Sequence, residues 1–190
     1  MEEKRILNII RKVKQGEIHA FNEIIVFYEK QVFGLAFRIT KNREDAEEVA
    51  QDSFVKAYKR IKSFKGNSKF STWLYRITYN NSLNKIAANK RQGFSVELED
   101  EKVGGSPSDD GMKGLLSEER QCFIKKALAK MTPQESTLIT LYHQNECGLK
   151  EIEEITGINR NTAKVQLHRA RKRLEVHLQQ LLKNEMESIR

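Results

Sequence analysis

LKEIEEITGINRNTAKVQLHRARKRL, residues 149–174, decides the fold class. Its apolar positions Ile152, Ile155, Ile158, Ala163 and Leu167 recur at helical spacing, broken by one glycine, Gly157, placed to turn the chain. The expectation is a short helix from Leu149 to Thr156, a turn on Gly157 and a long basic helix, which is helix-turn-helix spacing. The second helix carries Arg160, Lys164, Arg169, Arg171, Lys172 and Arg173, with no acid from Arg160 to Arg173. Lys164, His168 and Arg171 share a face flanked by Val165 and Arg169, which suits a major groove, while Asn161 and Thr162 at the amino end suit phosphate contact.

The pattern continues on both sides. Beyond Leu174 the helix runs on through Leu178, Leu181 and Leu182 into a charged tail. Before it, Thr132-Pro133-Gln134-Glu135 reads as a capping box with proline at the first helical position, opening a helix to Asn145 that buries Leu138, Ile139, Leu141 and Tyr142. An amphipathic helix with Phe123, Ile124, Ala127, Leu128 and Met131 inward precedes that one, beginning near Ser117. Residues 94–117 change character: Glu97, Glu99, Asp100, Glu101, Asp109 and Asp110 are mixed with Gly, Ser and Pro, the composition of a flexible acidic linker.

Residues 1–93 form a second unit. Ile6, Ile9, Ile10 and Val13 make one helical stripe ended by Gly16, and the helix from Ile18 to Thr40 is apolar enough to be a core spine. Asn42 caps the next helix, Arg43 to Phe64, whose first turns are acidic and whose last turns are basic. Dipole complementarity favours that order of charges by up to ~1 kcal/mol each. Glu48, Gln51, Asp52 and Val55 also share one face, so a protein-docking surface is an equal rival reading.

From Ser53 to Val96, 44 residues, there is no Asp or Glu in a chain that has 26, while ten Lys and Arg are interleaved with Tyr58, Phe64, Phe70, Trp73, Tyr75 and Tyr79. Cations with rings suit unpaired nucleic acid, where phosphates need charge and bases need stacking surfaces. Lys65, Gly66, Asn67, Ser68, Lys69 and Phe70 form a short cationic loop, either a plain interhelical turn or a pocket for an extruded base. The following helix, Thr72 to Asn89, presents Arg76, Asn80 and Asn84, with Lys85 beside them, and two amides at i, i+4 suit base edges. Trp73, Leu74 and Ile77 read as core.

The chain of 190 residues is thus expected to be all-α, two small helical domains (1–93 and 118–190) joined by the acidic linker. A net charge of +8 and pI near 9.4 point to a polyanionic partner. No membrane-length apolar run or leader pattern is present, and Cys122 and Cys147 read as reduced thiols of a cytoplasmic protein. There is no P-loop, GxGxxG or HExxH, and His143 with Cys147 lacks further metal ligands, so no enzyme, cofactor or metal is expected. A stand-alone helix-turn-helix repressor, dimeric on a palindrome, is the rival function.

Three blocks, DAEEVAQDSFVKAY (45–58), SFKGNSKFSTWLYRI (63–77) and GLKEIEEITGINRNTAKVQLHRARKRL (148–174), together resemble the extracytoplasmic-function (ECF) sigma factors of bacterial RNA polymerase. The likeness is marked toward the envelope-stress, sigma-E type through FKGNSKFSTWLYRI with Asn80 and Asn84. It implies that residues 1–93 are sigma region 2 and residues 118–190 sigma region 4. Glu48, Gln51 and Asp52 would dock on the clamp helices of the largest core-polymerase subunit, and the second domain would meet the flap. The Lys65 to Phe70 loop would capture a base flipped from the non-template strand of the minus-ten element, with Arg76, Asn80 and Asn84 beside it. Arg160, Asn161, Thr162, Lys164, Val165, His168, Arg169 and Arg171 would contact the duplex minus-thirty-five element. An anti-sigma factor, holding the protein at the inner face of the membrane or in the cytoplasm, is expected from the same likeness.

Overall fold

The computed structural model describes residues 2–92 and 111–188, with side chains over 3–92 and 120–184. The described residues contain helices and no strand: α1 (Glu2–Lys14), α2 (Phe21–Thr40), α3 (Arg43–Arg60), α4 (Phe70–Arg91), α5 (Gly111–Ala129), α6 (Pro133–Ile139), α7 (Leu149–Thr156) and α8 (Arg160–Ser188). None of these helices is long and apolar enough to cross a membrane. The all-helical expectation holds.

In the first domain α2 is the spine. Ile24, Val32, Leu35 and Ala36 are fully buried on it, and α3 and α4 pack against it and each other. Ile6, Ile9, Ile10 and Val13 of α1 are buried as one stripe, and the chain leaves α1 at Gly16 with φ 105°, where a Cβ would be strained. Lys41 ends α2 in the left-handed region at φ 58°, donating its backbone N–H to Phe37 O at 2.9 Å. Asn42 then caps α3, its Oδ1 accepting the Asp45 N–H at 2.8 Å.

In the second domain α5, α6 and α7 pack around the first half of α8, burying Leu128, Leu138, Leu141, Ile152, Ala163 and Leu167. The Thr132–Glu135 capping box is present, with Pro133 opening α6. Gly157 carries the turn at φ 75°, and Ile155, Ala163 and Ala170 close the helix pair around it.

Several boundaries differ from the periodic reading. α3 stops at Arg60 and a tight turn, Ile61–Ser63, follows, because Ile61 is drawn into the core at 3% exposure. α4 begins at Phe70 rather than Thr72. The helix expected to run to Asn145 ends at Ile139 and widens into a π-type turn, Thr140–Gln144. α5 begins at Gly111, within the stretch read as linker; Met112, Leu115 and Leu116 supply an i, i+3, i+4 pattern that its glycines obscured. The rest of that stretch lies outside the described residues.

The domains also touch. α2 lies against α6, and α4 against α7. The ammonium of Lys41, 6% exposed, donates to Leu128 O and Ala129 O at 3.4 Å each, at the electronegative end of α5. The Ser136 hydroxyl donates to Arg38 O at 3.4 Å.

Candidate nucleic-acid interface

On α3 the buried Ala46, Val49, Ala50, Ser53 and Phe54 turn Glu48, Gln51, Asp52 and Val55 outward together. Val55, 48% exposed, gives that acidic face an apolar centre. Glu48 is partly engaged: Lys85 of α4 reaches Glu48 Oε2 at 2.5 Å and Asp45 Oδ1 at 3.4 Å, and Asn89 Nδ2 donates to Asp45 at 2.7 Å. The hydrogen bond to Glu48, with both carboxylates nearby, raises the Lys85 pKa above its ordinary value. Lys85 is therefore a tie between helices rather than a member of the exposed row on α4.

One turn further along, the Lys56 ammonium donates to Asn81 Oδ1 at 2.7 Å, and Asn81 Nδ2 donates to Ser53 Oγ at 3.0 Å. Ser53 in turn donates to Val49 O at 2.6 Å. This chain, buried at Ser53 and Asn81 and open to water at Lys56, fixes the rotation of α4 relative to α3. Sequence reasoning missed it, since Asn81 is indistinguishable by pattern from Asn80.

The loop before α4 turns on Gly66 at φ 75°, with Lys65, Gly66, Asn67 and Lys69 exposed and Ser68 half-buried. Phe70 corrects the expectation. Its ring is 2% exposed and packs against Phe64 at 5.5 Å, Trp73 at 5.5 Å and Tyr28 at 5.8 Å, so it anchors the loop and offers no face to a base. Phe64 is buried beside it. Burying two phenyl rings outweighs leaving them in water by several kcal/mol, and that decides the matter. Trp73, Leu74 and Ile77 pack with the core as read. Arg76, Asn80 and Asn84 remain, exposed in one row on α4.

Lys69 is not free either. Its ammonium pairs with Glu151 Oε1 of α7 at 3.1 Å, and Thr72 Oγ1 donates to the same oxygen at 3.1 Å. Of the acid-free block's cations, Lys69 and Lys85 are thus matched by acids from elsewhere in the chain.

On α8 all eight expected residues, Arg160, Asn161, Thr162, Lys164, Val165, His168, Arg169 and Arg171, are exposed. Asn159 Oδ1 accepts the Asn161 N–H at 3.0 Å and Glu153 Oε1 the Arg160 N–H at 3.2 Å, so two of the helix's free N–H groups are capped. Glu153 also draws the Arg160 side chain, 3.7 Å away. Arg171 donates from Nε to His143 Nε2 at 3.0 Å and lies 4.7 Å from the Tyr142 ring centre. Burial, then the Arg171 charge, hold the His143 pKa below its ordinary value, which keeps the imidazole neutral and able to accept. Tyr142, Leu149, Lys164, His168 and Arg171 line an open cavity of about 570 Å³ with a strongly cationic rim. His143 and Tyr142 were legible only as helix residues, because the contact to Arg171 spans 28 positions.

An acidic face, a cationic loop leading into an amide-bearing helix, and a basic helix-turn-helix together have the surface chemistry of a two-domain nucleic-acid-binding protein. The Sigma-70 region 2 family matches residues 25–92 and the Sigma-70, region 4 family residues 115–174. The chain is 33% identical to the ECF RNA polymerase sigma factor SigW of Bacillus subtilis, over 94% of this chain and 100% of that one. It is 32% identical to the ECF RNA polymerase sigma-E factor of Haemophilus influenzae, over 92% and 95%. In fold it resembles the sigma factor RpoE solved with the anti-sigma factor NepR from Bartonella quintana, with TM-score 0.66, 24% identity and coverage of 84% of this chain and 96% of that one. CnrH, solved with the cytosolic domain of CnrY, gives TM-score 0.59 at 20% identity, over 90% and 95%. The chain belongs to the ECF RNA polymerase sigma factors, which are transcription initiation factors.

Proposed function

We propose that this protein joins bacterial core RNA polymerase in the cytoplasm and selects promoters through two separate DNA contacts. The observation that carries the division of labour is the exposed row Arg76, Asn80 and Asn84 leading from the Lys65–Lys69 loop, on a different domain from the exposed face of α8. Glu48, Gln51, Asp52 and Val55 dock the first domain on the polymerase clamp helices, while the second domain meets the flap. Lys65, Gly66, Asn67, Ser68 and Lys69 hold a base extruded from the non-template strand of the minus-ten element, with backbone and amide groups rather than Phe70 supplying the contacts. Asn80 and Asn84 read adjoining bases. Lys164, Val165, His168, Arg169 and Arg171 enter the major groove of the minus-thirty-five element, and Arg160, Asn161 and Thr162 fix the register on phosphates.

The energetics require no nucleotide hydrolysis by this chain. Unstacking a base costs a few kcal/mol, and a site that holds only the extruded base moves the duplex toward opening by its differential affinity. Control by an anti-sigma factor fits the two solved relatives, both captured with such a partner or with a partner's cytosolic domain.

Run-off transcription with core polymerase over a genomic promoter pool, read by sequencing start sites, tests this reading. The expected result is starts at few sites sharing two spaced motifs, with Asn80→Ala plus Asn84→Ala relaxing only the downstream motif and Arg169→Ala only the upstream one. Failure to bind core polymerase, with the protein alone protecting a palindrome, would overturn it in favour of a repressor.

A further inference from the structure

We propose that Glu153 of α7 competes with DNA phosphate for Arg160, and so sets how strongly the α8 face grips a duplex. This rests on the assignment of that face to duplex contact.

The turn on Gly157 brings α8 against α7 and sets residue 153 beside the start of α8. Glu153 is fixed there by its own helix, since its backbone carbonyl accepts the Gly157 N–H at 2.9 Å. Its carboxylate takes the part that a backbone phosphate of DNA would take. Oε1 accepts the Arg160 N–H at 3.2 Å, and Oε2 stands 3.7 Å from the Arg160 guanidinium. A free N–H at the positive end of a helix, with an arginine beside it, attracts an anion. α8 has no acid in its own first turn, so this anion comes from seven residues back on the neighbouring helix.

Arg160 is singled out by the pairing. On the same α8 face Lys164, Arg169 and Arg171 have no carboxylate partner among the described residues. Stability does not account for the pair. Side chains 61% and 36% exposed form an ion pair in water, which contributes little. The same openness lets a phosphate displace the carboxylate.

Arg160 reaches DNA only by leaving Glu153, and the carboxylate left behind faces a phosphate chain of its own sign. Both effects weaken binding to any sequence, because a phosphate contact carries no base information. Glu153 thus acts on strength and leaves sequence preference to the base-reading side chains. A chain of net charge +8 is drawn to every duplex it meets. Weakening one phosphate contact leaves the base contacts a larger share of the binding.

The test is binding of the full-length protein to a labelled mixed-sequence duplex of about 30 base pairs, followed by fluorescence anisotropy from roughly 0.05 to 0.3 M salt. Glu153→Gln keeps an oxygen for the Arg160 N–H and removes the charge. It should bind about three- to tenfold tighter than wild type near 0.1 M salt, and its slope of log affinity against log salt should be steeper by about 1. A change in stability alone would not move that slope. Glu153→Ala, which restores the best helix former, is the second variant and should steepen the slope likewise. Circular dichroism melting checks the fold of each.

Glu154→Gln removes a charge from the next position on α7, which has no ion pair among the described residues, and should change affinity by less than about twofold. With Arg160→Ala already in place, Glu153→Gln should do no more than that. Equal gains from the two glutamates, or a gain that survives Arg160→Ala, would reduce Glu153 to one charge among many and overturn the competition. Folded Glu153 variants with wild-type affinity and slope would do the same. Arg169→Ala separates this from the reading beneath it: wild-type binding that Arg169→Ala fails to weaken would refute α8 as the duplex contact. Unaltered Glu153 variants beside a weakened Arg169→Ala protein would refute the competition alone. No binding by any variant at the lowest salt would overturn both.

Discussion

Replacing Asn81 by Ala should loosen the first domain while touching neither DNA nor polymerase. Asn81 is 8% exposed and spans α3 and α4 through Lys56 at 2.7 Å and Ser53 at 3.0 Å. The Ser53 bond is neutral and buried, and its loss costs about 1 kcal/mol. Lys56 is exposed and returns to water, which limits the loss of its charged bond to about the same amount. Ser53 keeps its own bond to Val49 O, so no donor is orphaned and no further penalty arises. The expected total is about 2 kcal/mol, or a melting shift of roughly 8–16 °C for a domain of this size. Trp73 is the only tryptophan and packs 5.4 Å from Phe64, so urea unfolding followed by its fluorescence reports this domain selectively. The double variant with Ser53→Ala should fall short of additivity by about 1 kcal/mol. A loss below about 0.5 kcal/mol with an unchanged denaturant slope, or strict additivity, would refute the claim that this network couples the two helices.

Phe70→Ala should destabilise the same domain by about 3–5 kcal/mol in that assay, whereas Lys65→Ala should leave stability within about 0.5 kcal/mol and weaken binding of minus-ten single strand measured by fluorescence anisotropy. Gly157→Ala places a Cβ at φ 75° and should cost about 1–2 kcal/mol in the second domain while weakening minus-thirty-five binding. The His143 pKa is lowered in the folded state, so the unfolded chain takes up its proton first as pH falls. The contribution is full above the unfolded value near pH 6.5 and is lost as pH drops through the folded one. Urea midpoints between pH 7.5 and about 5 should therefore fall more in wild type than in His143→Gln. Thr132→Ala removes a cap and should lower the second domain's stability by about 1 kcal/mol by calorimetry.

The sequence by itself determined what depends on local chemistry. The apolar period placed the helices, Gly16, Asn42, Thr132 and Gly157 placed their ends, and exposure of Arg76, Asn80, Asn84 and the α8 residues followed from which neighbours were apolar. Tertiary structure decided what depends on contacts across tens of residues. Phe70 looked like a base-stacking ring from its cationic neighbours, yet three aromatic partners from α2, the loop and α4 take it into the core. Lys85 and Lys69 looked like free cations until Glu48 and Glu151, 37 and 82 positions away, faced them. Asn80 and Asn81 differ by one helical step of 100°, which sends one to solvent and the other to Ser53 and Lys56. Periodicity reports which side of a helix is apolar; only packing fixes what each polar side chain meets there.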